Sequence, residues 1–156
     1  MHLSLLAVGT RCPGWVREAY EDYARRLQPR FPVKLTEIPP GKRGKGIKVE
    51  RAMEEENRRI LGAVREGDHV VMLDERGRER SSVELSQWLG GRMRAGSDVV
   101  FVIGGPDGFA PEVRSRAQET WSLSRLTLPH ALVRVVLIEQ LYRAVTLLDG
   151  HPYHRE

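Results

Sequence analysis

The sequence predicts an α/β fold, a mostly parallel sheet flanked by helices, in a single domain spanning residues 1–156. Three observations carry that prediction. Short β-type runs alternate along the whole chain with segments whose apolar residues recur at helical spacing. Two of the runs, H-V-V-M-L from His69 to Leu73 and D-V-V-F-V-I from Asp98 to Ile103, are almost wholly apolar, the pattern of strands buried on both faces. No repeat, low-complexity tract or linker divides the 156 residues, which suffice to bury a core without metals or disulfides.

Each element can be justified in order. H-L-S-L-L-A-V, residues 2–8, ends at Gly9 and reads as a first strand rather than a signal peptide, because the apolar run is short and no charged leader precedes it. Pro13 suits a first helical turn, and Trp15, Ala19, Tyr23 and Leu27 recur every fourth residue until Pro29, which predicts an amphipathic helix. V-K-L-T-E-I, 33–38, alternates apolar with polar before Pro39, Pro40 and Gly41, as a half-exposed strand does. A helix from about Val49 to Val64 follows, with Val49, Met53, Ile60 and Val64 at helical spacing. The strand 69–73 leads into a polar loop, D-E-R-G-R-E-R, after which Ser81 and Glu84 form an S-x-x-E capping box. The helix it opens runs through Leu85, Trp88 and Leu89 and ends near Gly96. The strand ending at Ile103 feeds G-G-P-D-G-F, Pro111 starts a shorter helix, and R-L-T-L-P, 125–129, reads as a last short strand. The final helix spans about Leu132 to Leu148 and stops at Gly150.

That last helix has no clean polar face, since Val133, Val135, Val136, Leu137, Ile138, Leu141, Val145, Leu147 and Leu148 wrap nearly all round it. Such a helix needs cover on every side, which a second subunit supplies most cheaply, so a homodimer is predicted. Arg134, Glu139 and Arg143 interrupt it. No apolar stretch therefore reaches the roughly 18 residues that a bilayer span requires. Cys12 is the sole cysteine, which rules out an intramolecular disulfide and a cysteine-based zinc site and suits a reducing cytosol. A cytoplasmic protein is expected, with no membrane association and no metal.

Ligands of parallel α/β sheets sit at the carboxyl ends of the strands, and three such ends carry unusual loops. Gly104-Gly105-Pro106-Asp107-Gly108 reads equally as a tight turn or as a loop that lets a ligand approach the main chain closely, and its spacing fits neither G-x-G-x-x-G nor a P-loop. Asp74 and Glu75 follow Leu73, either as ligand-orienting acids or as solvated ones. Ser122 to His130 mixes small hydroxyls with leucines and a proline, offering polar backbone within an apolar wall, while His130 could equally cap the following helix. Elsewhere, Lys42, Arg43, Lys45 and Lys48 lie in the glycine-rich stretch P-P-G-K-R-G-K-G-I-K without one acid, which favours a nucleic-acid backbone over a merely solvated loop. The end of the chain, H-P-Y-H-R-E, has two histidines but no cluster such as H-E-x-x-H to complete a metal site. A base, a stacking tyrosine and a phosphate-gripping arginine are more natural roles there.

G-K-R-G-K from Gly41, I-G-G-P-D-G from Ile103, W-S-L-S-R-L-T-L-P-H from Trp121 and the terminal H-P-Y-H-R-E, with A-V-G-T near the start, together resemble the ribosomal RNA large-subunit methyltransferase H family. The similarity extends end to end and includes the length. It implies a minimal SPOUT-class enzyme, a homodimer with a C-terminal trefoil knot, that uses S-adenosylmethionine to methylate N3 of a pseudouridine in 23S rRNA of the assembled ribosome. Carried over by motif, the cofactor pocket comprises Leu73, Gly105, Ser124, Arg125, Leu126, Thr127, Leu128 and Pro129, with Arg125 contributing backbone only. Lys42, Arg43 and Lys45 are expected to bind RNA. In the tail, His154 or a water bound there is expected to take the N3 proton, Arg155 to hold a phosphate or the developing oxyanion, and Tyr153 to pack against cofactor or base. Glu139 is a candidate acceptor for the pseudouridine N1–H. The competing readings are a noncatalytic ribosome-associated RNA-binding protein, which would not need the two cofactor loops, and a knotted tRNA methyltransferase, which only the substrate would separate.

Overall fold

The computed structural model of the protein describes residues 1–155; the side chain of Arg155 and residue 156 lie outside that description. Among the described residues, five strands form one sheet: β1 (Leu3–Val8), β2 (Val33–Ile38), β3 (His69–Glu79), β4 (Val99–Ile103) and β5 (Glu119–Ser122). Every pairing is parallel, in the order β2-β1-β4-β3-β5. The helices are α1 (Gly14–Leu27), α2 (Val49–Ala63), α3 (Ser82–Ala95), α4 (Pro111–Arg116) and α5 (His130–Asp149), followed by a 3-10 turn, Pro152–Arg155.

The strands alternate side chains between two cores. Leu3, Leu5 and Ala7 of β1, with Val99, Phe101 and Ile103 of β4, meet Leu27 of α1, Leu89 of α3 and Leu137 and Leu141 of α5. On the opposite face Leu6 and Val8, with Val100 and Val102, meet Ile60 of α2 and Val113 of α4. Every residue of β4 is buried, which is why its sequence has no polar alternation. The capping box forms as expected: Ser81 Oγ accepts from the Glu84 amide at 3.1 Å, and Glu84 Oε2 accepts from the Ser81 amide at 2.8 Å.

Three expectations are corrected. First, the buried face of α1 is Val16, Tyr20 and Leu27, whereas Trp15 is 60% exposed. A strict every-fourth row drifts by about 40° per step around a helix of 3.6 residues per turn, so it slides off the buried face. Val49 likewise sits exposed at the start of α2, whose buried side is Ala52, Glu56, Asn57 and Ile60. Second, D-E-R-G-R-E-R is only partly a loop: β3 continues through Glu79, where Arg78 and Glu79 pair with β5 again, and both Leu73 and Arg78 oppose Trp121, so residues 74–77 form an excursion between two paired segments. Third, the last strand is Glu119–Ser122, not 125–129. Ser122 Oγ donates to the Ser124 carbonyl at 2.8 Å and Ser124 Oγ accepts from the Leu126 amide at 2.9 Å, a turn that takes the chain off the ladder.

The amino end of β5 is held by one carboxylate. Glu119 accepts from Trp88 Nε1 at 2.8 Å, Arg80 Nη2 at 2.8 Å and Trp121 Nε1 at 3.2 Å, and lies 2.6 Å from His69 Nε2. Burial alone would raise its pKa, but the hydrogen bonds from His69, Trp88 and Trp121 and the nearby Arg80 charge outweigh it and leave the group below its ordinary value. A carboxylate depressed in the folded state adds stability above its unfolded pKa, about 4.3, and loses it as pH falls through the lower folded value. Glu119→Gln should therefore flatten the acid limb of the urea midpoint against pH, starting near that unfolded value. An unchanged slope would show that the cluster carries no pH-dependent stability. The excursion gives a second expectation. A methyl on Gly77 would lie 2.6 Å from the Trp121 carbonyl carbon, backbone that cannot yield. Gly77→Ala should cost about 1–3 kcal/mol in a denaturant titration, the range for overpacking.

Candidate active site

The carboxyl ends of β4 and β5, together with the 74–77 excursion in the middle of β3, open into a cavity of about 570 Å³. Its floor and sides are Leu73, Ile103, Trp121, Leu126, Leu128 and Val133, and its rim carries Asp74, Glu75, Arg76, Asp107 and Arg114. Size and lining, an apolar wall with a few convergent polar groups, suit a small organic ligand.

Each wall is fixed locally. In the first, Asp74 Oδ1 accepts from the Arg76 amide at 2.9 Å and Oδ2 from Arg114 Nη2 at 2.8 Å. Burial would raise the Asp74 pKa, but these bonds and the two arginines hold it below the ordinary range, so the group is an anion that orders the 74–77 excursion. In the second, the Gly108 amide donates to the Gly105 carbonyl at 3.1 Å, closing a turn whose Gly108 has a positive φ of 80°. A methyl on Gly105 would lie 3.0 Å from Glu56 Oε1 and 3.2 Å from Val8 Cγ1, so this position needs glycine for close packing. In the third, Thr127 Oγ1 donates to Glu75 Oε2 at 3.2 Å, tying the loop after β5 to the excursion.

The base of α5 closes the cavity. His130 does not cap the helix; its Nε2 hydrogen-bonds the Val8 carbonyl, which makes it part of the wall. Burial is the main cause that lowers its pKa, so the ring is neutral at neutral pH and Nε2 carries the donated proton. One turn on, Arg134 is 2% exposed, donating to Glu37 Oε2 at 2.9 Å and to the Gly9 carbonyl at 2.8 Å.

Of the expected cofactor residues, Leu73, Gly105, Ser124, Leu126, Thr127 and Leu128 line the cavity, whereas Arg125 and Pro129 do not. Pro129 instead precedes the first turn of α5, and the Arg125 side chain is 88% exposed, 4.0 Å from Glu79. The tail is elsewhere. Tyr153 Oη donates to Glu139 Oε1 at 2.9 Å and lies 3.4 Å from the Tyr23 hydroxyl, with its ring edge-on to Tyr142. His154 is half-buried, its Nδ1 without a hydrogen-bond partner among the described residues; the Arg155 side chain lies outside them. Glu139, the candidate acceptor for the pseudouridine N1–H, accepts from Arg143 and Tyr153 at Oε1 and from Gln140 at Oε2. Arg43 departs from its expected part. Lys42 and Lys45 are exposed, but Arg43 is folded inward onto Glu56 and Asp107 rather than held out for a phosphate. Sequence reading included Asp107 in the glycine loop but missed Phe109, Arg114 and Val133 as lining residues; Phe109 directly follows that loop, and Val133 lies three residues beyond His130. Among the described residues, no group of three or more His, Cys, Asp or Glu is placed to hold a metal ion, and no helix is long and apolar enough to cross a membrane.

A parallel sheet with glycine, serine and leucine loops converging on one cavity belongs to a known class. The family described as "Predicted SPOUT methyltransferase" matches residues 1–154, and the chain is a member of that methyltransferase class. Three relatives carry the name "Ribosomal RNA large subunit methyltransferase H". One from Methylococcus capsulatus is 50% identical over 99% of this chain and 100% of its own; one from Laribacter hongkongensis is 49% identical, and one from Thioalkalivibrio sulfidiphilus 50%, both over the whole of both chains. Within the class, the chain belongs to the ribosomal RNA large subunit methyltransferase H family. A solved methyltransferase of Legionella pneumophila with bound SAM is 13% identical, aligning with 93% of this chain and 66% of its own at a TM-score of 0.49.

Proposed function

We propose that the protein methylates N3 of a pseudouridine in 23S rRNA of the assembled ribosome, in the cytoplasm, as a knotted homodimer with S-adenosylmethionine as methyl donor. The observation that carries this reading is the meeting of the β3, β4 and β5 loops at one cavity of about 570 Å³, within the usual range for a cofactor of that size. The relatives' shared name points to large-subunit rRNA as the substrate.

The donor set fits adenosylmethionine. Leu73, Leu126 and Leu128 offer apolar cover for a purine, backbone at Gly105 and Ser124 to Leu128 offers polar contacts, and Glu75, which accepts from the Thr127 hydroxyl, offers negative charge toward a sulfonium. Bound there, adenosylmethionine supplies an electrophilic methyl on a good leaving group. The protein has to align that methyl with N3 and remove the N3 proton, since a protonated imide nitrogen is a poor nucleophile. We assign the proton to His154 or a water it holds, anion holding to Arg155 and packing against base or cofactor to Tyr153. Lys42 and Lys45 provide exposed charge for the RNA backbone.

Distance supports the dimer. The cavity uses His130 and Val133 at the start of α5, while the tail leaves its end. Twenty helical residues separate them by about 30 Å at ~1.5 Å per residue. Two copies of α5 packed antiparallel would bring each tail to the partner's cavity, so the tail acts in trans. Threading fits the return path: β5 lies at the sheet edge, α5 packs between α1 and α3 and reaches β1, and the segment joining them is tied to the 74–77 excursion through Thr127 and Glu75.

Nucleoside mass mapping of ribosomes from a deletion strain should show loss of one N3-methylpseudouridine in 23S rRNA, restored by the gene. A lost tRNA mark, or failure of the purified protein to bind adenosylmethionine, would overturn the proposal. Removing residues 153–156 should cut methyl transfer to ribosomes by roughly 10²-fold or more, the usual weight of a positioned acid or base. Mixed dimers of that truncation with Gly105→Val should regain activity, because one intact cavity then meets one intact tail; a site completed in cis would give no recovery.

A further inference from the structure

The basic loop and the glycine loop lie far apart in sequence but are tied together by one guanidinium. Arg43 Nε donates to Asp107 Oδ2 at 2.9 Å, Nη1 to Glu56 Oε2 at 2.6 Å and Nη2 to Glu56 Oε1 at 3.2 Å. Glu56 is 1% exposed, and its Oε2 also accepts from the Gly41 amide at 2.9 Å. The same carboxylate lies under the cavity wall, 3.0 Å from where a Gly105 methyl would be. Three segments therefore converge on one buried anion: the loop after β2, the middle of α2 and the turn after β4.

We propose that Arg43 is a positioning residue for the adenosylmethionine cavity, acting through Asp107 and Glu56, so that the RNA-facing basic loop and the cofactor-facing glycine loop are set as one unit. This rests on the reading of the cavity given above. Two physical points support it. The forked guanidinium is what satisfies Glu56 with two donors while reaching Asp107 with a third, and a lysine ammonium, a single point charge, cannot span both acids in that geometry. The Glu56 anion needs a partner because it is buried, so the latch is held closed by the cost of leaving it alone. Linkage then makes the coupling reciprocal: whatever RNA contact at Lys42 and Lys45 does to the set of the loop, cofactor binding returns by the same factor.

The test uses the full-length protein, with adenosylmethionine titrated calorimetrically and the unfolding midpoint measured for each variant. Arg43→Lys keeps a cation beside Glu56, and Asp107→Asn leaves the Glu56 pair untouched, so both should fold near the parent's midpoint. Each should weaken adenosylmethionine about tenfold, within the usual range of coupling between linked sites, and the double variant should lose clearly less than the product of the two. In steady state, Asp107→Asn should raise KM for adenosylmethionine and, the two loops being set as one unit, shift KM for ribosomes in the same direction. Lys42→Gln and Lys45→Gln should leave adenosylmethionine affinity within about twofold and each reduce the salt slope of ribosome binding by about one. Folded Arg43→Lys and Asp107→Asn proteins that bind adenosylmethionine like the parent, or losses that simply multiply, would overturn the latch. A parent protein that binds none would overturn the cavity assignment instead.

Discussion

The carboxyl end of β1 is clamped between two buried charges of opposite sign, and the cavity is built outward from that clamp. On the α5 side, Arg134 closes on Glu37 and the Gly9 carbonyl while His130 bonds the Val8 carbonyl. On the α2 side, Glu56 lies beneath Gly105, which packs against Val8. A buried charge persists only when paired, and stripping one partner costs about 3–5 kcal/mol. Neither α2 nor α5 can slide along β1 without uncovering one. The cavity walls that rest on this clamp, the glycine turn after β4 against Glu56 on one side and His130 with Val133 on the other, are therefore held in place by paired buried charge. Walls so held suit methyl transfer, because the methyl group and its acceptor must be aligned closely for the barrier to fall.

Much of the fold was legible because its signals are local. Continuous apolar runs marked β3 and β4, the Ser81 and Glu84 box marked the start of α3, and Gly150 marked the end of α5. What failed depended on distant partners. The polar half of β3 pairs only because β5 lies alongside it, some forty residues on, and nothing in D-E-R-G-R-E-R announces that ladder. R-L-T-L-P alternates like a strand yet has no neighbour to pair with, because two serine hydroxyls turn the chain away first. Exposed Trp15 shows the same limit on a helix: hydrophobicity alone does not say which of two adjacent rows faces the sheet.

The site divides along the same line. The rule that ligands sit at strand ends selected the three loops that now line the cavity, since it needs only strand positions. Charges were harder to read. In sequence Lys42, Arg43 and Lys45 form one basic cluster, but Asp107 stands 64 positions from Arg43, and that acid turns one cation of the cluster inward. Glu139 looked available on α5 until Tyr153, coming back from beyond the helix end, met it. Composition counts charges; only the fold says which are already spent.

The apolar girth of α5 has two causes, and separating them sharpens the case for a partner. Packing between α1 and α3 over the sheet buries Leu137, Ile138, Leu141, Ala144 and Val145, so much of the girth is satisfied within one chain. Leu132, Val135, Val136 and Leu147 remain only half-buried, and Leu148 is 39% exposed. Along this helix the cations and anions do not form a free face either: Arg134 points to β1 and β2, and Arg143 folds onto Glu139. A helix that keeps aliphatic residues half-exposed, with its charges paired to one another or to the sheet, gains nothing from water there. The proposed second copy would cover those residues, at about 25 cal/mol for each Å² of apolar surface. The tail that leaves this helix would then be carried to the partner by the contact that covers it, which ties the stability of the proposed dimer to the completion of its sites.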